Sequence, residues 1–179
     1  MNEYNEGIFD SRSGLFFEFI RIRDWLIQNN NPGLLWLLEN VKPRKKEYLS
    51  VMSEYVGCEP TVIDSALVSA QRRIRYYWTN INSGNIPQPK DKGILIKDVI
   101  EDINYKVIEK PEIEHIKERT KNYWKWKPEG SKWYSQGNRA YYLDGKMCTL
   151  CKTRCSSNTL VHIGGCRYKH TTPVEFERY

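Results

Sequence analysis

The sequence predicts an α/β fold, a partial open sheet followed by a small irregular region, and three observations predict it. Helical and strand-like patterns alternate from Gly14 to Asn80. A turn-rich stretch, Asn82-Ser83-Gly84-Asn85-Ile86-Pro87-Gln88-Pro89, then interrupts them. Beyond it the chain becomes aromatic and basic. The expected division is 1–82 and 83–179.

Each element has its own reason. Leu15, Phe16, Phe19, Ile22, Trp25 and Leu26 recur at three- and four-residue steps, with Ser11 or Ser13 as a cap, so the first element is an amphipathic helix. Asn29-Asn30-Asn31-Pro32-Gly33 ends it. The all-apolar run Leu34-Leu35-Trp36-Leu37-Leu38 follows, and such a run between turn signals predicts a strand buried on both faces in a parallel sheet. Residues 45–56 form the second helix, with Leu49, Met52 and Val56 inward and Gly57 as the stop. Val, Ile, Tyr and Trp enrichment predicts strands over 61–68 and 73–79. Helices are predicted over 95–103 and 112–124, and little periodic signal comes after them.

Composition narrows the partners. The chain of 179 residues carries 28 Lys+Arg against 22 Asp+Glu, a net charge of +6, and a balance of this sign favours a polyanion. No run approaches the roughly 18 apolar residues of a membrane span, and Met1-Asn2-Glu3-Tyr4-Asn5-Glu6 lacks the basic and apolar parts of a signal peptide. A cytoplasmic protein is expected. Five cysteines, three of them between Cys148 and Cys155, suit reduced thiols or a metal site better than a disulfide framework.

Two constellations could carry chemistry. Glu39-Asn40-Val41 follows the apolar strand, at the end where open α/β sheets bind ligands. A partly desolvated carboxyl there could donate a proton or hydrogen bond to a heteroaromatic nitrogen; equally, Glu39 could be an exposed or capping acid. In an extended strand Gln71, Arg73 and Arg75 would share one face, either as a grip for a planar base and its phosphate or as the wet side of an edge strand. Further on, Arg119, Lys121, Lys125, Lys127, Lys132, Arg139, Lys146, Lys152 and Arg154 face only Glu129 and Asp144 in opposite charge. Tyr123, Trp124, Trp126, Trp133, Tyr134, Tyr141 and Tyr142 interleave with them. Cations that neutralise phosphates and rings that stack on bases suit nucleic acid; a small aromatic core under a solvated basic surface is the plainer alternative.

Taken together, these segments resemble the DNA cytosine-5 methyltransferases, most of all those of bacteriophages and the vertebrate de novo enzymes. The resemblance is carried by Asp10-Ser11-Arg12-Ser13-Gly14-Leu15-Phe16-Phe17-Glu18-Phe19, by Trp36-Leu37-Leu38-Glu39-Asn40-Val41, and by the run from Ile63 through Gln71-Arg72-Arg73-Ile74-Arg75-Tyr76. Gly137-Asn138-Arg139-Ala140-Tyr141-Tyr142-Leu143-Asp144-Gly145-Lys146-Met147 and the run from Tyr168 to Arg178 look like the close of that family's target-recognition region.

The resemblance implies the C-terminal part of a Rossmann-like, S-adenosylmethionine-dependent sheet over 1–82 and a DNA-binding target-recognition region over 83–179. Such enzymes serve DNA methylation and restriction–modification, which implies the cytoplasm of a bacterial or phage-infected cell. The family flips a cytosine out of double-stranded DNA, attacks C6 with a cysteine thiolate and methylates C5. Glu39 would then contact N3 and the exocyclic amine, and Arg75 would hydrogen-bond O2. Arg73 would support the pocket, and Asn40, Val41 and Gln71 would shape it. Arg119, Lys121, Lys125, Lys127, Lys132, Arg139 and Lys146 would meet DNA. The family's nucleophile lies in a Pro-Cys dipeptide and its cofactor on a glycine-rich turn, yet none of the eight prolines precedes a cysteine and no Gly-x-Gly occurs. The chain is therefore expected to be inactive alone: a fragment, an inactive relative, or one subunit of a split enzyme whose partner supplies both parts. The alternative is a non-catalytic DNA-binding module, zinc-stabilised through Cys148, Cys151, Cys155 and Cys166.

Overall fold

The computed structural model describes residues 14–29, 31–43, 45–110, 117–126, 139–149, 160–172 and 175. It is mixed α/β, with two sheets and two compact units: 1–63 with 74–88, and 64–73 with 89–179. The division thus falls at 88/89, later than the 82/83 that the turn-rich stretch suggests, and residues 64–73 join the second unit.

The first unit opens with α1 (Gly14–Asn29), followed by β1 (Leu37–Val41), α2 (Lys46–Val56), β2 (Thr61–Asp64) and β3 (Ile74–Thr79). The sheet order is β1-β3-β2, with β1 and β3 antiparallel. Phe16 of α1, Met52 and Val56 of α2, and Trp78 of β3 form the buried core, with Trp36, Leu38, Leu49 and Tyr76 packed against it. The Trp78 indole Nε1 donates to Ser53 Oγ at 3.2 Å, so its polar edge is satisfied inside the core. Gly57 closes α2 at φ 88°, a left-handed position open to glycine, and its N–H donates to Ser53 O. Arg23 joins the two helices: Nη1 donates to Val56 O at 2.7 Å and Nη2 to Tyr55 O at 3.3 Å, placing its charge on the carbonyls that end α2.

Three expectations are corrected here. The apolar strand is not buried on both faces of a parallel sheet. It pairs antiparallel with β3, and while Leu38 packs inward, Leu37 and Val41 lie 53% and 55% exposed. The apolar stripe of α1 also divides. Of its six positions only Phe16 is buried, and Leu15, Ile22, Trp25 and Leu26 remain exposed. The strand expected over 61–68 stops at Asp64, whose carboxylate accepts from Ala66 N and starts a 3₁₀ turn.

The second unit holds α3 (Ile96–Val99) and the strands β4 (Val107–Glu109), β5 (Lys117–Arg119), β6 (Tyr123–Trp126), β7 (Arg139–Tyr142), β8 (Leu160–Gly164) and β9 (Arg167–His170). Their order is β4-β9-β8-β7-β6-β5, with β7 and β8 parallel and the other pairs antiparallel. A regular sheet therefore stands where the sequence suggests irregular chain. Residues 117–119 and 123–126 form a hairpin in place of the helix expected over 112–124. Thr120 closes it, its N–H and hydroxyl both donating to Tyr123 O. The helix expected over 95–103 spans only 96–99, because Ile100 is extended at ψ 128°. Ala70, Ile96, Tyr141, Met147 and Val161 form one buried cluster, and Ala140, Leu160 and Tyr168 another.

At the edge of this unit the ammonium of Lys169, fully buried, meets the buried carboxylate of Glu175 at 2.7 and 3.0 Å. Glu175 also accepts from the backbone N–H groups of Glu101, Asp102 and Thr172, and its own N–H donates to Thr172 Oγ1. Burial by itself raises this carboxyl, but the hydrogen bonds from Lys169 and from those amides outweigh it and hold the group below its ordinary value. Among the described residues no helix is long and apolar enough to cross a membrane.

Candidate functional site

The register of β1 on β3 builds the site. Glu39 lies opposite Tyr77, and Val41 opposite Arg75. Residues two apart on a strand share a face, so Glu39 and Arg75 are diagonal neighbours on one side of the sheet. Arg75 Nε lies 2.6 Å from Glu39 Oε1, and Nη1 donates to Ile74 O at 2.9 Å. The guanidinium is largely buried, at 12% exposure, whereas the carboxylate is 44% exposed. Glu39 is thus a solvated, paired carboxylate, not the partly desolvated acid that its position in the sequence suggests. Nε is close to the carboxylate without a hydrogen-bond alignment. With the carboxylate exposed and no aligned hydrogen bond, a ligand that offers Arg75 a new acceptor can replace this contact at small cost, whereas leaving the largely buried guanidinium without a partner would be costly.

Asn40 and Val41 form the shoulder of this pair. The Asn40 side chain accepts from Val41 N at 2.7 Å, which fixes the backbone just after Glu39. Gln71 and Arg73 are not in a row with Arg75 as the sequence pattern suggests, because β3 begins only at Ile74. Gln71 is buried, bridged to Met147. Arg73 is exposed, and its N–H donates to Asp64 Oδ1.

The cations of the second unit divide by register. Arg119 lies opposite Trp124, with Cζ 5.8 Å from the Trp124 ring and 5.4 Å from that of Tyr142. Lys125 and Arg139 pair on the other face of the sheet, where Arg139 Cζ lies 4.8 Å from the Tyr123 ring. Lys121 is exposed between β5 and β6. Burial by itself lowers the Arg139 pKa, but Tyr141, Tyr123 and Cys148 beside it together outweigh burial and leave it raised. Rings continue across the Arg119 face from Trp124 to Tyr142, His162 and Tyr168, with centroids 5.7, 6.4 and 5.4 Å apart. His162 and Tyr168 had no place in the sequence-based set. The alternation Leu160, His162 and Tyr168, His170 about Gly164-Gly165 was the signal for them.

Lys146 is corrected from a DNA contact to a structural cation. Its ammonium donates to the carbonyls of Ala66, Ser69 and Ile94, which uses all three N–H groups. Lys146→Met leaves these carbonyls without their donor and is expected to lower stability by about 1–3 kcal/mol, read from the urea unfolding midpoint.

Lys127, Lys132, Cys151 and Cys155 lie outside the described residues. Cys148 and Cys166 are half-buried free thiols, and among the described residues no group of three or more His, Cys, Asp or Glu is placed to hold a metal. Among the described residues, the lining of the first unit's groove does not fit S-adenosylmethionine. The groove of about 320 Å³ in the first unit is lined by apolar side chains of α1 and 34–37 together with Arg23, whose charge is already paired and would oppose a sulfonium. No protein-family model matches this chain.

Proposed function

We propose that this chain is the base-holding and DNA-contacting part of a DNA cytosine-5 methyltransferase, with a Rossmann-like sheet completed by a second chain. The observation that carries the reading is the Glu39–Arg75 pair. Two residues 36 positions apart, each matching a family motif, meet at 2.6 Å on an open sheet face. An acceptor beside a donor complements a planar edge that offers an amine next to a carbonyl. The exocyclic amine of a flipped cytosine donates to one Glu39 oxygen, a proton taken up from water is shared between the other oxygen and N3, and O2 accepts from Arg75, exchanging the internal ion pair for contacts to the base. Asn40 holds the end of the strand in place beside the carboxylate. Arg119, with Trp124 and Tyr142, offers DNA a cation backed by rings.

The thiolate and the cofactor turn come from outside these 179 residues, so no methyl-transfer step is assigned to groups of this chain. The test is reconstitution. Mixed with a chain that carries Pro-Cys and a glycine-rich cofactor turn, the protein should transfer labelled methyl groups from S-adenosylmethionine to cytosine in DNA. A stable complex with no transfer on any duplex would sink the enzyme reading and leave the DNA-binding module.

A further inference from the structure

Among the described residues of the first unit, β1 is an edge strand. Trp36 N donates to Asn80 Oδ1, and Thr79 Oγ1 donates to Trp36 O, so the backbone groups of residue 36 point toward β3. By the two-residue period those of 38 and 40 do so as well, and those of 37, 39 and 41 point to the free side. An edge of this kind, five residues long and bordered by Leu35, Leu37 and Val41, is a template for another strand.

The groove described above runs beside that edge, between α1 and residues 34–37. Its outer wall continues into the exposed strip Leu15, Ile22 and Trp25 of α1. Its one charge, Arg23, is held by Asp24 and by the end of α2, so nothing in the slot calls for an acidic ligand. Along the groove itself Ile22, Leu26, Leu35 and Leu37 expose on the order of 400 Å², about half of the ~800 Å² per partner of a standard interface, and a strand paired along β1 would add to that.

We infer that the free edge of β1 and the groove under α1 receive an extended β-strand with apolar residues at alternate positions, carried by a second chain. The backbone of Leu37 and Glu39 supplies the ladder, and Ile22 and Leu35 the walls that take alternate side chains. That this chain is the one bearing the nucleophile rests on the function proposed above; the slot itself rests on the edge, the groove and the exposed area.

The probe is the part of a DNA cytosine-5 methyltransferase that contains Pro-Cys and the glycine-rich turn and ends before its own Glu-Asn-Val. It is mixed with the full 179-residue protein and followed by light scattering and amide hydrogen exchange. A 1:1 complex is expected, with exchange slowed over 35–39 and 15–26. Leu37→Pro removes an outward N–H without touching the pairing with β3, and Ile22→Asp puts a charge in the groove. Each is expected to weaken the complex at least about 30-fold while circular dichroism shows the fold retained. The inference is overturned by several results: no complex at micromolar concentration, protection confined to other segments, or binding indifferent to both variants. Protection of the outward amides of Leu37 and Glu39 in the protein alone also overturns it, assigning the slot to a second copy if it rises with concentration and to residues 1–13 if their deletion abolishes it. Methyl transfer is scored separately, so docking without transfer refutes the enzyme and spares the slot, and transfer with protection elsewhere does the reverse.

Discussion

Glu175→Gln lowers the unfolding free energy by about 3–5 kcal/mol, because it leaves the fully buried Lys169 ammonium without its counter-charge. The amide keeps the volume and one acceptor oxygen, so the loss reports the charge and not a cavity. Adding Lys169→Met to Glu175→Gln should recover much of it, because the buried charge goes while the amide oxygen still accepts from the backbone N–H groups of residues 101, 102 and 172. Urea unfolding of the three proteins measures the series, and a loss under about 1 kcal/mol for Glu175→Gln would show that the pair is solvated in solution. The pH dependence has a definite sign. The folded-state pKa of Glu175 is lowered, so its contribution is fully present above the ordinary carboxylate value of 4.5 and is lost as the pH falls below that through the folded value. The native protein should lose stability in acid over that window, and the Glu175→Gln protein should lack this component.

In the reconstituted enzyme, Glu39→Gln is expected to lower the rate of methyl transfer by about 10²–10³-fold, the size seen when one transition-state hydrogen-bonding group is removed. The DNA dissociation constant should stay within about twofold at fixed salt, since Glu39 meets no phosphate. Single-turnover transfer and duplex titration separate the two effects. Equal losses in both would mean that Glu39 supports the fold of the DNA-contacting surface and not the base. The ion pair with Arg75 supplies an internal control: Arg75→Lys keeps the charge but loses the planar donor fork, so it should also impair transfer.

Much of the first unit was legible because its signals are local. Leu49, Met52 and Val56 recur on one helical face, and Gly57 provides the left-handed stop, so α2 could be read to within a residue. Glu39 and Arg75 were visible as separate motifs, and their meeting depends on an antiparallel register that no local pattern encodes. The same gap misled the reading of Leu34 to Leu38. An apolar run states that a surface avoids water, not which side of it is already covered, and here Leu37 and Val41 stay exposed. In the second unit the failure was larger. Lys117-Glu118-Arg119 has no strand propensity to speak of, and its conformation is set by pairing with β6 and, through it, with β7. Lys146 looked like one more surface cation, because nothing in the sequence reveals that three carbonyls from two distant segments converge on it.

The pairing of β4 with β9 has a consequence for how the protein is made. Val107 and Lys169 are register partners about 60 residues apart. On the ribosome, at about 5–20 residues per second, β4 is synthesised roughly 3–12 s before the strand it needs exists. Until then β4 has no strand to pair with, and closing the sheet must await the widest strand pairing in it. The speed of elongation across 110–170 therefore bears on yield, a dependence that the contacts of the finished sheet do not express.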